Sequence, residues 1–317
     1  MSQFISRREN AAVAESGRQL ATELFLGRRI PGPAWRRRYY RCKFMLRHLS
    51  TLRYSGPWLE QLARHPLSDR LMAAQPGLPC KLHRPYLAAN MTQGQRLAAL
   101  QYHYSYLYQH LPVGLLDRHY CRDGALLAVL DAKNERRFTL RLCSLDQLNR
   151  EGEATLVFAD EQNVMLAEIT FAIMPEQGAT LFIGGLQGAH RQLPHDAIHS
   201  ATKDCHGLFP KRLVLEGVAA LAEALGVKQI LAVGNRTHMY REWRYFYRSK
   251  RFLHADYDRF WLSMRGLPQE RGYFRLPLRI ARKSFDCLPS KKRAEYRRRY
   301  AMLDSIADQI NAHFNPL

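Results

Sequence analysis

The residues best suited to chemistry lie in the centre of the chain, between residues 180 and 235. Four histidines follow a glycine-rich run there: His190, His195, His199 and His206. Imidazole titrates near neutral pH and is the commonest general base, so His206 and then His190 are the candidate bases. Glu168, on the apolar run before them, is a carboxylate that could orient or replace a base. Each of these side chains could instead be an ordinary loop or hydrogen-bonding residue.

A possible site for a phosphate-bearing ligand follows the same run. Glycines let a backbone approach a ligand closely, and three of them end the apolar run: Gly184, Gly185 and Gly188. The helix that starts at Pro210 turns free N–H groups and its positive dipole end toward an anion. Lys211 and Arg212 add charge, so we expect a phosphate-bearing ligand such as a pyrophosphate to bind Gln187, Gly188, Lys211 and Arg212. Neither the P-loop pattern nor GxGxxG is met, and a plain strand-to-helix crossover with solvated charges remains open.

Metal chemistry is not indicated. The six cysteines are scattered and none forms a C-x-x-C pair, which argues against a zinc ribbon or a redox motif. The histidines show no HExxH spacing. We therefore expect no metal site, and a protein whose thiols stay reduced in the cytosol.

Two kinds of element hold these residues. Apolar or alternating runs with hairpin-length links predict about five antiparallel strands between residues 124 and 188. A helix over residues 210–225 and a strand over 228–233 complete a strand–loop–helix–strand unit. The fold class is therefore α/β (α+β), with a central, mostly antiparallel sheet. We expect a basic, helical N-terminal region over residues 1–120 and an α/β core over 121–317 that ends in a basic helix.

Some boundaries can be predicted more finely. In the N-terminal region we expect helices over residues 11–26, 35–52 and 92–109, with a break at Ser55-Gly56-Pro57. In the core, residues 273–280 alternate, and Pro277 favours an edge strand over a central one. Ser290 is the expected cap of a helix over residues 290–309.

The charge balance indicates an anionic partner. There are 48 Lys and Arg against 28 Asp and Glu, a formal net charge of +20, which favours binding to anionic lipid, nucleic acid or another polyanion. The C-terminal helix carries a dense set of cations expected to bind an anionic surface: Lys291, Lys292, Arg293, Arg297 and Arg298. A merely solvated face is the alternative. Specific nucleic-acid binding is not expected, because no helix-turn-helix, finger or RNP motif is visible.

The N-terminal residues MSQFISRRENAAVAESGRQ lack the apolar core of a signal peptide. No run of about 18 apolar residues could span a bilayer. We expect a cytoplasmic protein that can bind peripherally to the inner membrane, where anionic lipids attract basic surfaces.

Several segments resemble the VirK/YbjX family of Gram-negative bacteria, over roughly residues 60–312. They are GGLQG (184–188), KDCHGLFPKRLVL (203–215), ILAVGN (230–235), His238, DYD (256–258) with Phe260 and Trp261, LPL (276–278) and SKKRAEYRRRY (290–300). The resemblance implies a cytoplasmic or membrane-peripheral protein linked to virulence, antimicrobial-peptide resistance and outer-membrane homeostasis.

The order of elements also resembles the Gcn5-related (GNAT-like) acyltransferase fold, in which a helix start after a strand and loop holds the donor's pyrophosphate. This resemblance implies an acyltransferase that uses acyl-coenzyme A or acyl-carrier protein, whose acidic surface would suit a basic enzyme. The acceptor would be a lipid or protein at the cytoplasmic side of the envelope. The substrate would be positioned by Asn235, His238, Tyr257 and Asp258. The alternative is a non-catalytic basic protein that binds anionic lipid or an envelope protein partner.

Overall fold

The structure is a computed structural model that describes residues 16–189, 193–241 and 256–315. Contacts within the chain divide it into two units, one up to Arg84 and one from Pro85 onward. The described part of the first unit is helical, and the second unit contains the β-sheet.

Helices build the described part of the first unit: α1 (Gly17–Leu26), α2 (Arg38–Ser50), α3 (Leu52–Arg64) and α4 (Ser68–Ala74). Helix α1 begins after Ser16, whose hydroxyl accepts from the Gln19 N–H. It ends at Gly27, where a φ of 76° gives the left-handed cap that favours glycine. The indole N–H groups of the buried Trp35 and Trp58 both donate to backbone carbonyls, which satisfies these polar atoms inside the core.

Two sequence-based boundaries in this unit are wrong. The helix expected over residues 35–52 is a short 3-10 turn followed by α2, because Arg37 between them is extended (φ −83°, ψ 121°). The break expected at Ser55-Gly56-Pro57 does not occur, and the proline lies inside α3. The buried face of α3, which includes Trp58 and Leu59, packs well enough to offset the hydrogen bond that the proline removes.

The second unit is built on an eight-stranded sheet with the order β1-β2-β3-β4-β5-β6-β8-β7. Its strands are β1 (Ala125–Asp131), β2 (Arg137–Cys143), β3 (Ala154–Asp160), β4 (Met165–Pro175), β5 (Ala179–Gly188), β6 (Gln229–Val233), β7 (Leu267–Pro268) and β8 (Tyr273–Leu276). Among the strands in the described ranges, β5 and β6 alone are parallel, and all other neighbours are antiparallel. This confirms the predicted mixed α/β class with a mostly antiparallel central sheet.

The helices of the second unit are α5 (Gln93–His110), α6 (Val113–His119), α7 (His195–Asp204), α8 (Pro210–Ala224), α9 (Tyr257–Ser263) and α10 (Ser290–Phe314). Helix α5 begins with a capping box formed by Thr92 and Gln95. Both α5 and α8 pack against β4, whose residues 166–174 are all buried. Successive residues of a strand face opposite sides, so the centre of the sheet is covered on both faces.

Three predictions for this unit also differ from the structure. Strand β8 pairs with both β6 and β7, so the edge strand expected over residues 273–280 is an interior strand that stops before Pro277. Ser290 is the first residue of α10 and its cap position is Pro289. The segment before α8, expected to be a loop, contains α7.

Helices long and apolar enough to cross a bilayer are absent from the described ranges. The same part of the chain shows no group of three or more His, Cys, Asp or Glu side chains arranged to hold a metal ion.

Candidate functional site

The two parallel strands of the sheet separate at their carboxyl ends. Strand β5 pairs with β6 from Thr180 to Ile183, after which β6 ends at Val233 while β5 continues along β4 to Gly188. Within the described structure, β5 beyond Ile183 therefore has a strand on one side only. Such a gap leaves peptide groups that need other partners, and crevices at the carboxyl ends of strands commonly bind ligands in α/β sheets.

The hydroxyl of Tyr257 fills part of this gap. It lies 3.2 Å from both the backbone nitrogen and the carbonyl oxygen of Leu186, so it can accept from one group and donate to the other. Tyr257 is the first residue of α9, which Asp256 caps by accepting from the Arg259 N–H. Burial, aided by the nearby Glu151 carboxyl, raises the pKa of Tyr257 well above its usual value. The hydroxyl therefore keeps its proton at physiological pH.

Asn235 and Asp258 hold α9 in this position. The Asn235 side-chain oxygen accepts from the Tyr257 N–H at 2.8 Å, and its side-chain nitrogen donates to Asp256 at 2.9 Å. The Asp258 carboxylate accepts from the Asn235 backbone N–H at 2.7 Å. These bonds tie the end of β6 to the start of α9. The structure thus brings Asn235, Tyr257 and Asp258 together, and it gives Asn235 and Asp258 a role in orienting Tyr257.

A buried carboxyl group lies beside the same gap. Glu151, in the turn before β3, is 2% exposed and accepts from the side-chain amide of Gln187 at 3.2 and 3.3 Å. Its Oε1 lies 3.7 Å from Nε2 of His238, and that nitrogen lies 3.3 Å from the Tyr257 hydroxyl. Glu151, Gln187, His238 and Tyr257 form one connected group, which we call the Glu151 network.

Paired glycines on β5 make room for Glu151. A Cβ at Gly184 would overlap the Glu151 carbonyl oxygen, and a Cβ at Gly185 would overlap the Glu151 carboxylate. The β4–β5 register shifts at the same place, between Thr170 and Phe171, as it does at a β-bulge. The glycine run that suggested a ligand-binding loop therefore admits an acidic side chain from a neighbouring turn.

Burial changes the acid strength of two carboxyl groups at this site. It raises the pKa of Glu151 to about 8, although the Gln187 amide opposes the rise and Glu168 adds to it. Burial also raises the pKa of Glu168 to about 7, and Glu168 lies opposite Gln187 in the β4–β5 pair. Two carboxyl groups that titrate near neutral pH are suited to accept and release protons in catalysis.

His238 is oriented by the backbone that follows β6. Its Nδ1 lies 3.4 Å from the Tyr240 backbone nitrogen and accepts that N–H, which assigns the imidazole proton to Nε2. That nitrogen faces the Tyr257 hydroxyl and the Glu151 carboxyl. The backbone of His238 is also fixed, by an isolated β-bridge to Ala88. His238, predicted to position a substrate, is thus a rigid member of the Glu151 network.

The start of α8 lies beside the end of β5. The Lys211 side chain runs past Gly188, where a Cβ would lie 3.3 Å from Lys211 Cε, and burial lowers the pKa of Lys211. Among the described residues Lys211 has no ion-pair partner. Arg212, in contrast, pairs with Glu216 at 2.6 Å and lies 3.1 Å from the Met264 sulfur. Lys211 is therefore the cation open to a ligand at this helix start, whereas the charge of Arg212 is already neutralised.

His206 lies apart from the Glu151 network. It occupies the turn between α7 and α8 with a φ of 55°. Its carbonyl oxygen accepts two hydrogen bonds, at 2.8 and 3.0 Å, from the Arg299 guanidinium of α10. Burial, together with Lys133 and Arg298, lowers the pKa of its imidazole. Its described neighbours thus belong to α10 and to the β1–β2 connection, and the other candidate base, His190, lies outside the described residues.

The cations expected to bind an anionic surface lie on the first turns of α10. Four of them are exposed: Lys291, Lys292, Arg297 and Arg298. Arg293 is half-buried and donates to the Leu288 carbonyl at 3.1 Å. This helix therefore combines cations that are open to a partner with cations that hold the fold.

Glu151 is the member of the site that sequence reasoning missed. It lies in residues 146–152 (DQLNREG), one of the hairpin-length links between the predicted strands. One available signal was the glycine pair at 184 and 185 inside an otherwise apolar strand, since glycine there marks the close approach of another segment. The glycine pair does not identify the segment that approaches β5, because contacts between residues far apart in the sequence determine it.

These observations define a mixed α/β protein with a buried acid–histidine–tyrosine network at a split parallel strand pair. A family described as a protein of unknown function (DUF535) matches residues 33–312, and the chain belongs to that family.

The chain is also similar to individual proteins. It is 44% identical to the uncharacterized protein YbjX of Escherichia coli (strain K12) over 315 residues, which is 99% of this chain and 95% of the relative. An uncharacterized protein of Haemophilus influenzae is 34% identical over 47% of this chain and 48% of its own length. A second from that organism is 29% identical over 59% and 61%. The resemblance to the VirK/YbjX family is thereby confirmed, and no solved structure matches.

Proposed function

We propose that the protein is an acyltransferase that takes its acyl group from a phosphopantetheine thioester, carried by coenzyme A or by acyl-carrier protein. The single observation that carries the proposal is the Glu151 network at the gap between β5 and β6. The order β5, α8, β6 also resembles the core of Gcn5-related acyltransferases. The acceptor that the family resemblance implies is a lipid or protein at the cytoplasmic side of the envelope.

The donor's arm would lie along the end of β5 at Gln187 and Gly188, which are partly exposed, whereas Glu151 and Tyr257 cover the residues before them. Pantetheine contains amide groups, and peptide N–H and C=O groups at the end of a strand can pair with them. The phosphates would lie at the start of α8, where the dipole favours an anion and Phe209 offers no side-chain cap. Lys211 would supply a full positive charge there, and Gln187 and Gly188 would line the passage between the two parts.

The chemistry would use the network as a proton acceptor and a proton donor. The acceptor's amine or hydroxyl loses its proton to the Glu151 carboxylate as it attacks the thioester carbonyl, and Glu168 is the nearby second carboxyl. The carbon–sulfur bond then breaks, the acyl group stays on the nucleophile, and the protonated Glu151 carboxyl returns its proton to the departing thiolate. His238 and Tyr257, which contact each other and lie beside Glu151, orient the reacting groups and keep their own protons.

In this mechanism the general base is the carboxyl group of Glu151, and His206 does not take part in the reaction. Glu151 accepts a proton only when it is ionised, and that fraction grows as the pH rises through about 8. The rate of acyl transfer should therefore increase with pH across this range.

Donor binding tests the phosphate site. Purified protein is titrated with acyl-coenzyme A, and Lys211→Ala is compared with its neighbour Arg212→Ala. Lys211→Ala should raise the Kd at least about tenfold, whereas Arg212→Ala should change it less than about threefold because Glu216 already neutralises that charge. If neither acyl-coenzyme A nor acylated carrier protein binds, the proposal is contradicted. If the two variants change the Kd equally, Lys211 is not the residue that binds the phosphate.

The alternative function is non-catalytic binding of anionic lipid or an envelope protein through the exposed cations of α10. It predicts vesicle binding that weakens steeply with salt. It also predicts that vesicle binding survives Glu151→Gln unchanged and that no thiol is released from any acyl donor.

A further inference from the structure

The first turns of α10 lie beside the entrance to α8. A Cβ at Gly207, just before α8, would lie 2.6 Å from the Arg299 guanidinium. Further along both helices, Glu216 of α8 and Asp304 of α10 line one cavity of about 450 Å³. The two helices therefore run in the same direction. Residues 290–299 accordingly stand at the end of α8 where the donor's phosphate is proposed to bind.

This end of α10 is strongly basic. Between Arg282 and Arg299 the chain has eight Lys or Arg and two acidic residues. We use the name α10 basic face for the four exposed cations Lys291, Lys292, Arg297 and Arg298. Lys291 and Arg298, seven residues apart, lie on the same side of the helix, and the other two flank them. The four span about 10 Å along the helix axis, at 1.5 Å per residue. In the part of the chain that the structure describes, none of the four has an ion-pair partner.

Aromatic rings hold part of this surface in place. The Arg297 guanidinium lies 5.9 Å from the ring centroid of Phe285, and that of Arg299 lies 4.4 Å from the ring centroid of Tyr296. Phe285 in turn packs edge-on against Tyr300. The planar guanidinium of Arg297, next to a ring, can pair bidentately with carboxylates at fixed positions on a folded partner, which suits such a partner better than a fluid array of lipid headgroups.

We propose that the α10 basic face is the docking site of an acyl-carrier protein, a small acidic protein that bears its acyl chain on a phosphopantetheine arm. This deepens the proposed function and rests on it. Docking here brings the partner to the end of α8 at which Lys211 would meet the phosphate of the arm. One acidic helix matches the length of the face, and the opposite charges speed association in a salt-dependent way.

The test uses the full chain, the apo and acylated forms of a purified bacterial acyl-carrier protein, and the matching acyl-coenzyme A. A triple variant, Lys291→Ala with Lys292→Ala and Arg298→Ala, removes three charges from the face. It leaves Arg293 and Arg299 in place because they bind backbone carbonyls. We expect the Kd for both carrier forms to rise at least about tenfold, while that for acyl-coenzyme A changes less than about twofold.

A matched control removes the same charge elsewhere. Lys228, Arg265 and Arg275 are exposed and line a cavity of about 380 Å³ beside β6 and β8. The control is Lys228→Gln with Arg265→Asn and Arg275→Gln, since Arg265 has a φ of 62° and asparagine tolerates that conformation. It should leave carrier binding within about twofold. An equal loss in both triple variants would overturn the docking site and leave only an effect of net charge.

Two other results would overturn the docking site, and they differ from failure of the proposed function. If acyl-coenzyme A binds and the carrier protein does not, the docking site is wrong while the donor chemistry stands. If vesicles containing anionic lipid bind through the α10 basic face and the carrier protein does not, the face is a membrane site. If neither donor binds, the proposed function fails and the docking site fails with it.

Discussion

The gap between β5 and β6 and the α10 basic face both contain titratable or charged side chains, but these side chains are buried in the gap and exposed on the face. In the gap, Glu151 and His238 are each 2% exposed, and both have fixed partners. On the face, the cations are exposed and have no ion-pair partner within the described structure. Buried polar groups affect stability and proton binding, whereas exposed charges act mainly on partners and respond to salt. The two regions should therefore respond differently to substitution.

His206, the candidate base of the sequence analysis, lies beside the second region. His206 contacts Arg299 of α10 through its carbonyl group, while the groups that titrate near neutral pH in the gap are Glu151 and Glu168. His206 therefore lies in a turn beside a basic helix, and not at the gap. Burial of carboxyl groups, which depends on the fold, marked the place suited to proton transfer.

The largest expected effect comes from filling the space that Glu151 occupies. Gly184→Ala places a methyl group onto the Glu151 backbone carbonyl oxygen, which cannot move aside as a side chain can, and we expect it to lower the free energy of unfolding by about 3 kcal/mol. Urea denaturation measures it. Gly94→Ala is the matched control, because a Cβ at Gly94 in α5 meets nothing within 4 Å and should be neutral or slightly stabilising. A loss below about 1 kcal/mol for Gly184→Ala would show that the Glu151 backbone does not lie against β5 here.

The pH dependence of stability is the next largest effect. Folding raises the pKa of Glu151 from 4.5 to about 8, so the folded state holds this proton more tightly and loses stability as the pH rises between these values. Glu151→Gln has no such proton. The stability difference, variant minus native, should grow by at least about 2 kcal/mol between pH 5 and pH 9.

Urea denaturation at a series of pH values measures this difference, with Glu270→Gln at an exposed position as the control. The free energy of unfolding of the control should change with pH in the same way as that of the native protein. Parallel curves for Glu151→Gln and the native protein would mean that Glu151 ionises normally in the fold.

A smaller effect is expected from the hydroxyl that closes the gap. Tyr257→Phe leaves the Leu186 N–H and carbonyl without this partner, and it should cost about 1–2 kcal/mol. Hydrogen exchange at the Leu186 amide should accelerate, which locates the effect, whereas Tyr39→Phe at an exposed position should change nothing. Unchanged protection at Leu186 would mean that another group satisfies this part of β5.

The smallest effect on stability is expected on the α10 basic face. Lys291→Ala, Lys292→Ala and Arg298→Ala should each change the free energy of unfolding by less than about 0.5 kcal/mol. Arg299→Ala, on the same helix, removes two hydrogen bonds to the His206 carbonyl and should cost about 1–2 kcal/mol. Thermal or urea unfolding of the four variants measures this contrast, and a larger cost at Lys291 than at Arg299 would reverse it.

The sequence predicts much of the core sheet because its signals are local. Alternating apolar residues and turn formers predict β1 to β5, and the apolar helix from Pro210 is followed by Gly226, whose φ is 71°. Pro57 shows the limit, since its place inside α3 depends on what the buried face of that helix packs against.

The candidate site is only partly predictable for the same reason. The sequence predicts Gln187, His238 and Tyr257 as ligand-binding or substrate-positioning residues, and the structure brings the three together. Glu151 was not, because the direction of a turn side chain depends on contacts far away in sequence. The change in its pKa needs burial by several elements, which no local pattern records.

The role of the Glu151 network as the reacting centre is tested most directly by the release of thiol from acyl-coenzyme A. The release is measured in a single turnover, in the presence of a Gram-negative envelope extract. If the Glu151 network is the reacting centre, Glu151→Gln slows release by at least about 100-fold, and His206→Ala slows it by less than about threefold. Loss of thiol release in His206→Ala with an active Glu151→Gln variant would contradict the account.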